Sequence, residues 1–168
     1  MKNKGNDGKG NIPERDLWRT KQSFWEKLDN QYLFDFDCCA NYVNAKCKNW
    51  SDNFESCKEL KDNICWMNPP FSKAKDMFKH FFKVVEKGVA IYRCDNMETK
   101  IWQDIILKNA TWILIPKGRI SYTPFDIDIR KGMGSRFPSA LIGFNVDFPK
   151  EEGIILIPKR SSNSKESE

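Results

Sequence analysis

The chain is 168 residues long and 40% hydrophobic, enough for one domain with its own core and too apolar for a disordered polypeptide. Its 28 basic and 23 acidic residues leave a formal charge of +5, a mild excess that permits a nucleic-acid partner and equally fits a solvated surface of mixed charge. Six cysteines without a Cys-x-x-Cys pair and a single histidine, His80, argue against a zinc centre, and no apolar run approaches membrane-spanning length.

Residues 1–13, rich in Lys, Gly and Asn, are expected to form a flexible segment, followed by one domain over 14–160 and a polar tail over 161–168. The cysteine spacings lack the regularity of a secreted disulfide scaffold and no signal peptide precedes them, so reduced thiols in a cytoplasm are expected. Asp16 to Thr20 leads into a helix over Gln22–Asn30, in which Phe24, Trp25 and Leu28 share one face. Trp18 either packs on the edge of the core or lines a ligand site. Residues 32–40 read as an apolar strand ending in two carboxylates, Asp35 and Asp37. Acidic groups at the carboxyl end of a first strand are well placed to meet a cofactor's amine or hydroxyls. No Gly-x-Gly follows, which excludes a dinucleotide fingerprint. Tyr42–Lys48 has the length of one or two helical turns, and Asn49–Asp62 reads as a loop or a weak second strand carrying Asp52 and Glu55 as further cofactor candidates.

The run Ile64-Cys65-Trp66-Met67 reads as a buried strand that Pro69 and Pro70 stop. Ser72 is a good N-cap for a helix in which Ala74, Met77, Phe78, Phe81, Phe82 and Val85 line one side. His80 lies off that stripe and reads as a solvated side chain, and Gly88 reads as the end of the helix. A strand over Val89–Tyr92, a helix over Glu98–Asn109 and a strand over Trp112–Ile115 follow. The alternation then changes: Arg119–Tyr122, Ser139–Asn145 and Gly153–Pro158 read as strands with no helices between them. The long loop of residues 123–138 carries Arg130, Lys131, Gly132, Gly134 and Arg136. Strand–helix alternation followed by strands alone predicts an α/β fold whose mixed sheet has antiparallel C-terminal edge strands.

The chemistry concentrates at Asn68-Pro69-Pro70-Phe71. Two prolines remove two amide donors and leave carbonyls as the main-chain polar groups of the turn. Asn68 adds a side-chain carbonyl, and Phe71 adds an aromatic face. Two acceptors beside a stacking surface suit a planar ring with an exocyclic amine. Such an amine is a poor nucleophile because its lone pair is delocalised, and two acceptors on its hydrogens localise that pair and aim it.

This turn resembles motif IV of the amino-methyltransferases that use S-adenosylmethionine. The wider chain, from Asp16 to about Phe144, resembles the phage DNA N6-adenine methyltransferases, the Dam-like phage enzymes, with their phage or prophage setting and links to restriction-modification. Trp18 and Thr20 resemble that family's Trp-x-Thr-Pro opening. Phe34-Asp35-Phe36-Asp37-Cys38-Cys39-Ala40 with Asn44-Ala45-Lys46-Cys47 resembles its Phe-Asp-Leu-Asp-x-x-Ala and Asn-Ala-Lys-Cys segments. Asp95, Thr99 and Trp102, Gly118-Arg119-Ile120, and Phe137-Pro138-Ser139-Ala140-Leu141 resemble its later signatures. The resemblance implies a Rossmann-like S-adenosylmethionine-dependent methyltransferase fold and a monomer acting on double-stranded DNA without a metal or a membrane. It implies that Asn68 and the Pro69 carbonyl accept from the adenine amine, with Pro70 shaping the turn and Phe71 stacking on the base. Asp37, with Asp35 as its rival, would hold the cofactor together with Trp18, Thr20, Ala40 and Asn68. Ser72 and Arg119 are further candidates to meet DNA, as are Arg130, Lys131 and Arg136 on account of the length, glycines and clustered positive charge of their loop. Lys21 stands where the family has proline, and Arg93-Cys94 replaces a proline-containing strand end. Methylation of RNA or of a protein glutamine, and a non-catalytic DNA-binding role, are the alternatives.

Overall fold

The computed structural model of the chain describes residues 16, 18–123 and 137–159. Its strands are β1 (Arg19–Thr20), β2 (Phe36–Asp37), β3 (Asn49–Trp50), β4 (Leu60–Met67), β5 (Val85–Arg93), β6 (Trp112–Pro116), β7 (Tyr122–Thr123), β8 (Ser139–Phe144) and β9 (Gly153–Leu156). The helices are α1 (Gln22–Tyr32), α2 (Ala74–Val84) and α3, a π-helical stretch Ile101–Ile106 finished by an α-turn Leu107–Asn109. Seven strands form one sheet in the order β3-β2-β4-β5-β8-β6-β9. The pairs β2·β3, β2·β4 and β4·β5 are parallel, whereas β8 is antiparallel to both β5 and β6, and β9 is antiparallel to β6. The sheet is therefore mixed in the way the loss of intervening helices after Ile115 predicts.

Both faces of the sheet are covered, and the pleat assigns side chains to them. Cys65 and Met67 of β4, Ala90 and Tyr92 of β5, and Ile113 of β6 pack with Met77, Phe78 and Phe81 of α2 and with Trp102, Ile105 and Ile106 of α3. Trp66, Val89, Ile91, Trp112 and Leu114 point to the opposite face, where Trp25, Leu28 and Tyr32 of α1 meet them. A strand buried on both sides reads as a continuous apolar run, which is why Ile64–Met67 shows no alternation. The chain steps from β2 outward to β3 and then returns across β2 to β4 and β5. The direction of winding thus reverses between β2 and β4, and ligands of open α/β sheets bind at the carboxyl ends of strands at such a point.

Several expected boundaries move. The strand expected over residues 32–40 is shorter: Tyr32 ends α1, and Leu33 adopts a left-handed conformation (φ 56°) with its N–H donating to the Asp29 carbonyl. Only Phe36–Asp37 then joins the sheet. Gly88 does not end α2 but lies within β5, where a Cβ would stand 2.6 Å from the Cys65 carbonyl oxygen. Ser72 is not the N-cap of α2: it sits inside a 3-10 turn, Phe71–Lys73, and Lys73 precedes the helix. Of residues 119–122 only Tyr122 is in a strand, and β7 pairs with β1 rather than with the main sheet. His80 is half-buried rather than solvated; its Nε2 donates to the Cys57 carbonyl at 2.7 Å, and the ring meets Phe54 edge-on. It fastens α2 to the turn Phe54–Ser56, whose Phe54 is buried.

Candidate active site

The carboxyl ends of β2 and β4 carry Asp37 and Asn68 to the reversal point of the sheet. Asn68 follows directly on Met67, the buried last residue of β4, so the sheet fixes its backbone. Its Nδ2 donates to the Trp18 carbonyl at 3.1 Å. A carbonyl only accepts, so this bond sets the amide orientation and leaves Oδ1 as the acceptor. Among the described residues no donor meets Asn68 Oδ1 or the Pro69 carbonyl. The Pro70 carbonyl, by contrast, is used: it accepts from the Lys73 N–H at 3.0 Å and starts the 3-10 turn. Phe71, half-buried on that turn, meets Phe137 edge-on with centroids 5.1 Å apart and Tyr92 at 6.1 Å.

Residues from the N-terminal side close over this turn. The Asp16 carboxylate accepts the Ser72 N–H at 3.0 Å and also the Ser72 hydroxyl. Together with the Trp18–Asn68 bond and the β1·β7 pairing, this stitches Asp16 and residues 18–20 across the end of β4. Sequence reasoning missed Asp16, because a contact between residues 56 apart leaves no local signal.

Two adjoining cavities open beside Asn68, of about 40 and about 270 Å³. Asp16, Cys39, Asn44 and Asn68 line both. The smaller one also takes in Trp18, Arg19, Thr20, Asp37 and Lys46. Asp37 is buried; its two carboxylate oxygens accept the N–H groups of Cys39 at 3.3 Å and Lys46 at 3.0 Å. Burial pushes its carboxyl up to about 6, against those bonds and the Lys46 charge, which pull the other way. The Lys46 ammonium, lowered by burial, donates to Gln22 Oε1 at 2.7 Å. The Thr20 hydroxyl is buried in the cavity wall and has no partner among the described residues. Such an orphaned group calls for a ligand or water. Lys46 lies in the segment Asn44-Ala45-Lys46-Cys47, and nothing in the sequence alone marks it as a cavity residue.

The larger cavity is lined by Ala40, Asp52 and Glu55 among others. Asp35 does not line either one: its Oδ1 accepts from Asn63 Nδ2 and the Ile64 N–H, both at 3.0 Å, and holds β2 to β4. Trp18 packs on the second core and also lines the smaller cavity. Ser72 is committed to Asp16. Arg119 is exposed and its charge helps hold the Asp95 carboxyl low. Arg130, Lys131 and Arg136 lie outside the described residues. Burial pushes the Cys39 thiol up, so it is not a thiolate nucleophile. Among the described residues no three His, Cys, Asp or Glu are grouped to hold a metal ion, and no helix is long and apolar enough to cross a membrane.

The site therefore offers two free acceptors on a rigid turn, an aromatic face on one side and a polar cavity on the other. A family model described as DNA N-6-adenine-methyltransferase (Dam) matches residues 8–167. No curated protein matches the chain.

Proposed function

The chain belongs to the DNA N-6-adenine-methyltransferase (Dam) family, and we propose that it transfers a methyl group from S-adenosylmethionine to the exocyclic amine of an adenine flipped out of double-stranded DNA. The observation that carries this reading is the pair of unpartnered acceptors, Asn68 Oδ1 and the Pro69 carbonyl, at the end of β4 beside the cavity. An adenine amine has two hydrogens, and two acceptors take both. The sheet order, with β8 reversed between β5 and β6, supports a Rossmann-like methyltransferase fold.

The residues present fit the cofactor. Its amino-acid end carries an ammonium and a carboxylate; the smaller cavity offers Asp37 to the first, Lys46 and Arg19 to the second, and the orphaned Thr20 hydroxyl to either. The larger cavity offers Asp52 and Glu55 to ribose hydroxyls, beside Ala40. When bound, S-adenosylmethionine supplies an electrophilic methyl on a sulfonium. The protein's own part is positioning. Asn68 and Pro69 orient the amine and raise electron density on its nitrogen, while Phe71 holds the plane of the ring. Neither acceptor is a base at neutral pH, so the nitrogen sheds its surplus proton to solvent after the N–C bond has formed. An adenine inside a duplex cannot reach this turn, so it must leave the stack. The basic residues Arg119, Arg130 and Lys131 are assigned to the DNA backbone in this reading, and Arg136 to the backbone or to a base edge.

Incubation of unmethylated DNA with tritiated S-adenosylmethionine, followed by nucleoside analysis, tests it. Label in N6-methyladenine is expected. Label in RNA or in protein glutamine alone would redirect the reading to those substrates, and DNA binding without cofactor binding would leave a non-catalytic relative.

A further inference from the structure

Next to the acceptor turn, β5 ends in Arg93, a cation at the place where its neighbours are aromatic. Its guanidinium carbon lies 5.8 Å from the Phe71 ring centroid and 5.1 Å from that of Phe137. Asp95 grips it from behind as a fork: Nε donates to Oδ1 at 2.7 Å and Nη2 to Oδ2 at 2.6 Å. The backbone is anchored as well, since Trp102 Nε1 donates to the Arg93 carbonyl at 3.0 Å. The side chain is 17% exposed, and the Arg93 charge holds the Asp95 carboxyl low. Half-buried ion pairs return little net stability, because desolvation offsets their attraction. This one instead joins three segments distant in sequence: the acceptor turn, the end of β5 and the residues leading into β8.

We propose that Arg93 is a positioning residue for the target base: held by Asp95, it lies as a planar slab against Phe71 and Phe137 and fixes the plane of Phe71 before a base arrives. The inference rests on the adenine-methyltransferase reading above. Phe71 leaves a 3-10 turn that follows two prolines, and its two aromatic neighbours meet it nearly edge-on, at 79° and 64°. Edge contacts leave a ring free to tilt. A delocalised cation over its face does not, and a guanidinium stacks there better than an ammonium. Arg93 acts through Phe71 and takes no part in bond making.

The test is a double-mutant cycle on the full-length enzyme, with kinetics on DNA that it methylates. Arg93→Gln keeps much of the volume and loses both the fork and the charge. It is expected to lower kcat/KM for DNA by about tenfold, with the S-adenosylmethionine Kd unchanged and Arg93→Lys recovering part of the loss. In a Phe71→Ala background the same change should cost less than about twofold, because the group it acts through is gone. A duplex with 2-aminopurine at a methylated adenine position gives a second readout: the fluorescence state of the extruded base with wild type should shift in Arg93→Gln toward that with Phe71→Ala. If Arg93→Gln does not fold, Arg93→Lys carries the same cycle with a smaller effect. A full tenfold loss that persists without Phe71, together with a log–log salt slope flatter by about one, would make Arg93 a phosphate ligand and overturn the proposal. Wild-type kinetics in Arg93→Gln overturn it alone, whereas a wild-type enzyme inert toward DNA overturns it along with the reading beneath it.

Discussion

Asn68 separates two jobs on one side chain: Nδ2 is spent on the Trp18 carbonyl and Oδ1 faces the site. Asn68→Ala should therefore lower kcat by about 10²–10³, the scale for losing one preorganised polar group, while calorimetry finds S-adenosylmethionine affinity weakened by no more than about tenfold, the cost of losing the Trp18 bond. Unimpaired turnover would remove the acceptor role. Asp37 makes a pH prediction. Its carboxyl is raised from an ordinary value of 3.8 to about 6, so between those values the folded chain binds more protons than the unfolded one. Its contribution to stability is best below about pH 4 and is lost as pH rises to about 6; the two-unit shift corresponds to a penalty of about 3 kcal/mol at neutral pH. A ligand ammonium beside it favours the ionised form. Cofactor affinity should then rise by up to about tenfold per pH unit below pH 6 and level off above it. Calorimetric titrations at pH 5, 6, 7 and 8 check this, and a flat profile would take Asp37 out of the cofactor site. Asp35 and Asp37 were indistinguishable in the sequence because both close one apolar run. Pairing separates their surroundings: Asp35 N–H donates to the Ile64 carbonyl and its carboxylate is consumed by Asn63 and Ile64, whereas Asp37 stands opposite Trp66 at the cavity.

Among the elements, the strap formed by Asp16 and residues 18–20 is the one whose place no local pattern foretells. The Asp16–Ser72 link and the Trp18–Asn68 bond hold it over the acceptor turn, and both are partly exposed hydrogen bonds worth about 0.5–1.5 kcal/mol each. Asp16→Ala should accordingly raise KM for S-adenosylmethionine by about threefold to tenfold and leave the unfolding temperature within a few degrees, which steady-state kinetics and calorimetry measure side by side. The elements with strong periodicity were legible: α2 and the helical stretch after Glu98 stand where their apolar spacing puts them, whereas β5 starts at Val85, four residues before the expected strand and on a residue expected in α2. The errors came from residues with two meanings. Glycine after a helical stripe signals a C-cap, yet Gly88 serves β5, because β4 passes too close for a side chain. Gly143 has the same role in β8, where it faces Trp112 and a Cβ would fall 2.0 Å from the indole. Gly88→Ala and Gly143→Ala should each cost about 1–3 kcal/mol through overpacking, with Gly143 the worse since Trp112 is pinned by its bond to the Val146 carbonyl. Thermal denaturation reads this directly, and equal stability in Gly143→Ala would mean that the indole can move.

At the scale of the whole molecule, the mixed character of the sheet is written in the disappearance of helices after Ile115, but the insertion of β8 between β5 and β6 is not. Strand order depends on long-range pairing such as Ile91 with Leu141, and nothing in either segment names its partner. The order matters for function because it puts the winding reversal between β2 and β4, and so gathers Asp37, Asn68, Thr20 and Lys46 from segments spread over 49 positions of the chain, Thr20 to Asn68, into one wall. A ligand held there would tie the strap, the loop after β2 and the end of β4 together, and would bind the folded chain alone. Linkage then predicts the size of the effect. At a free concentration one hundred times its Kd, S-adenosylmethionine should add about 2.7 kcal/mol of stability, or roughly 5–10 °C in unfolding temperature for a domain of this length. Asn68→Ala should keep at least half of that shift, because in the proposed reading its acceptor is assigned to the base and only its bond to Trp18 touches the cofactor side; Asp37→Ala should lose most of it. Differential scanning calorimetry of the three proteins at several cofactor concentrations makes the comparison. A wild-type shift absent at saturating concentration would remove the cavities beside Asn68 as the cofactor site, and a shift that survives in Asp37→Ala would move the methionine end to the Lys46 and Arg19 side of the same cavity.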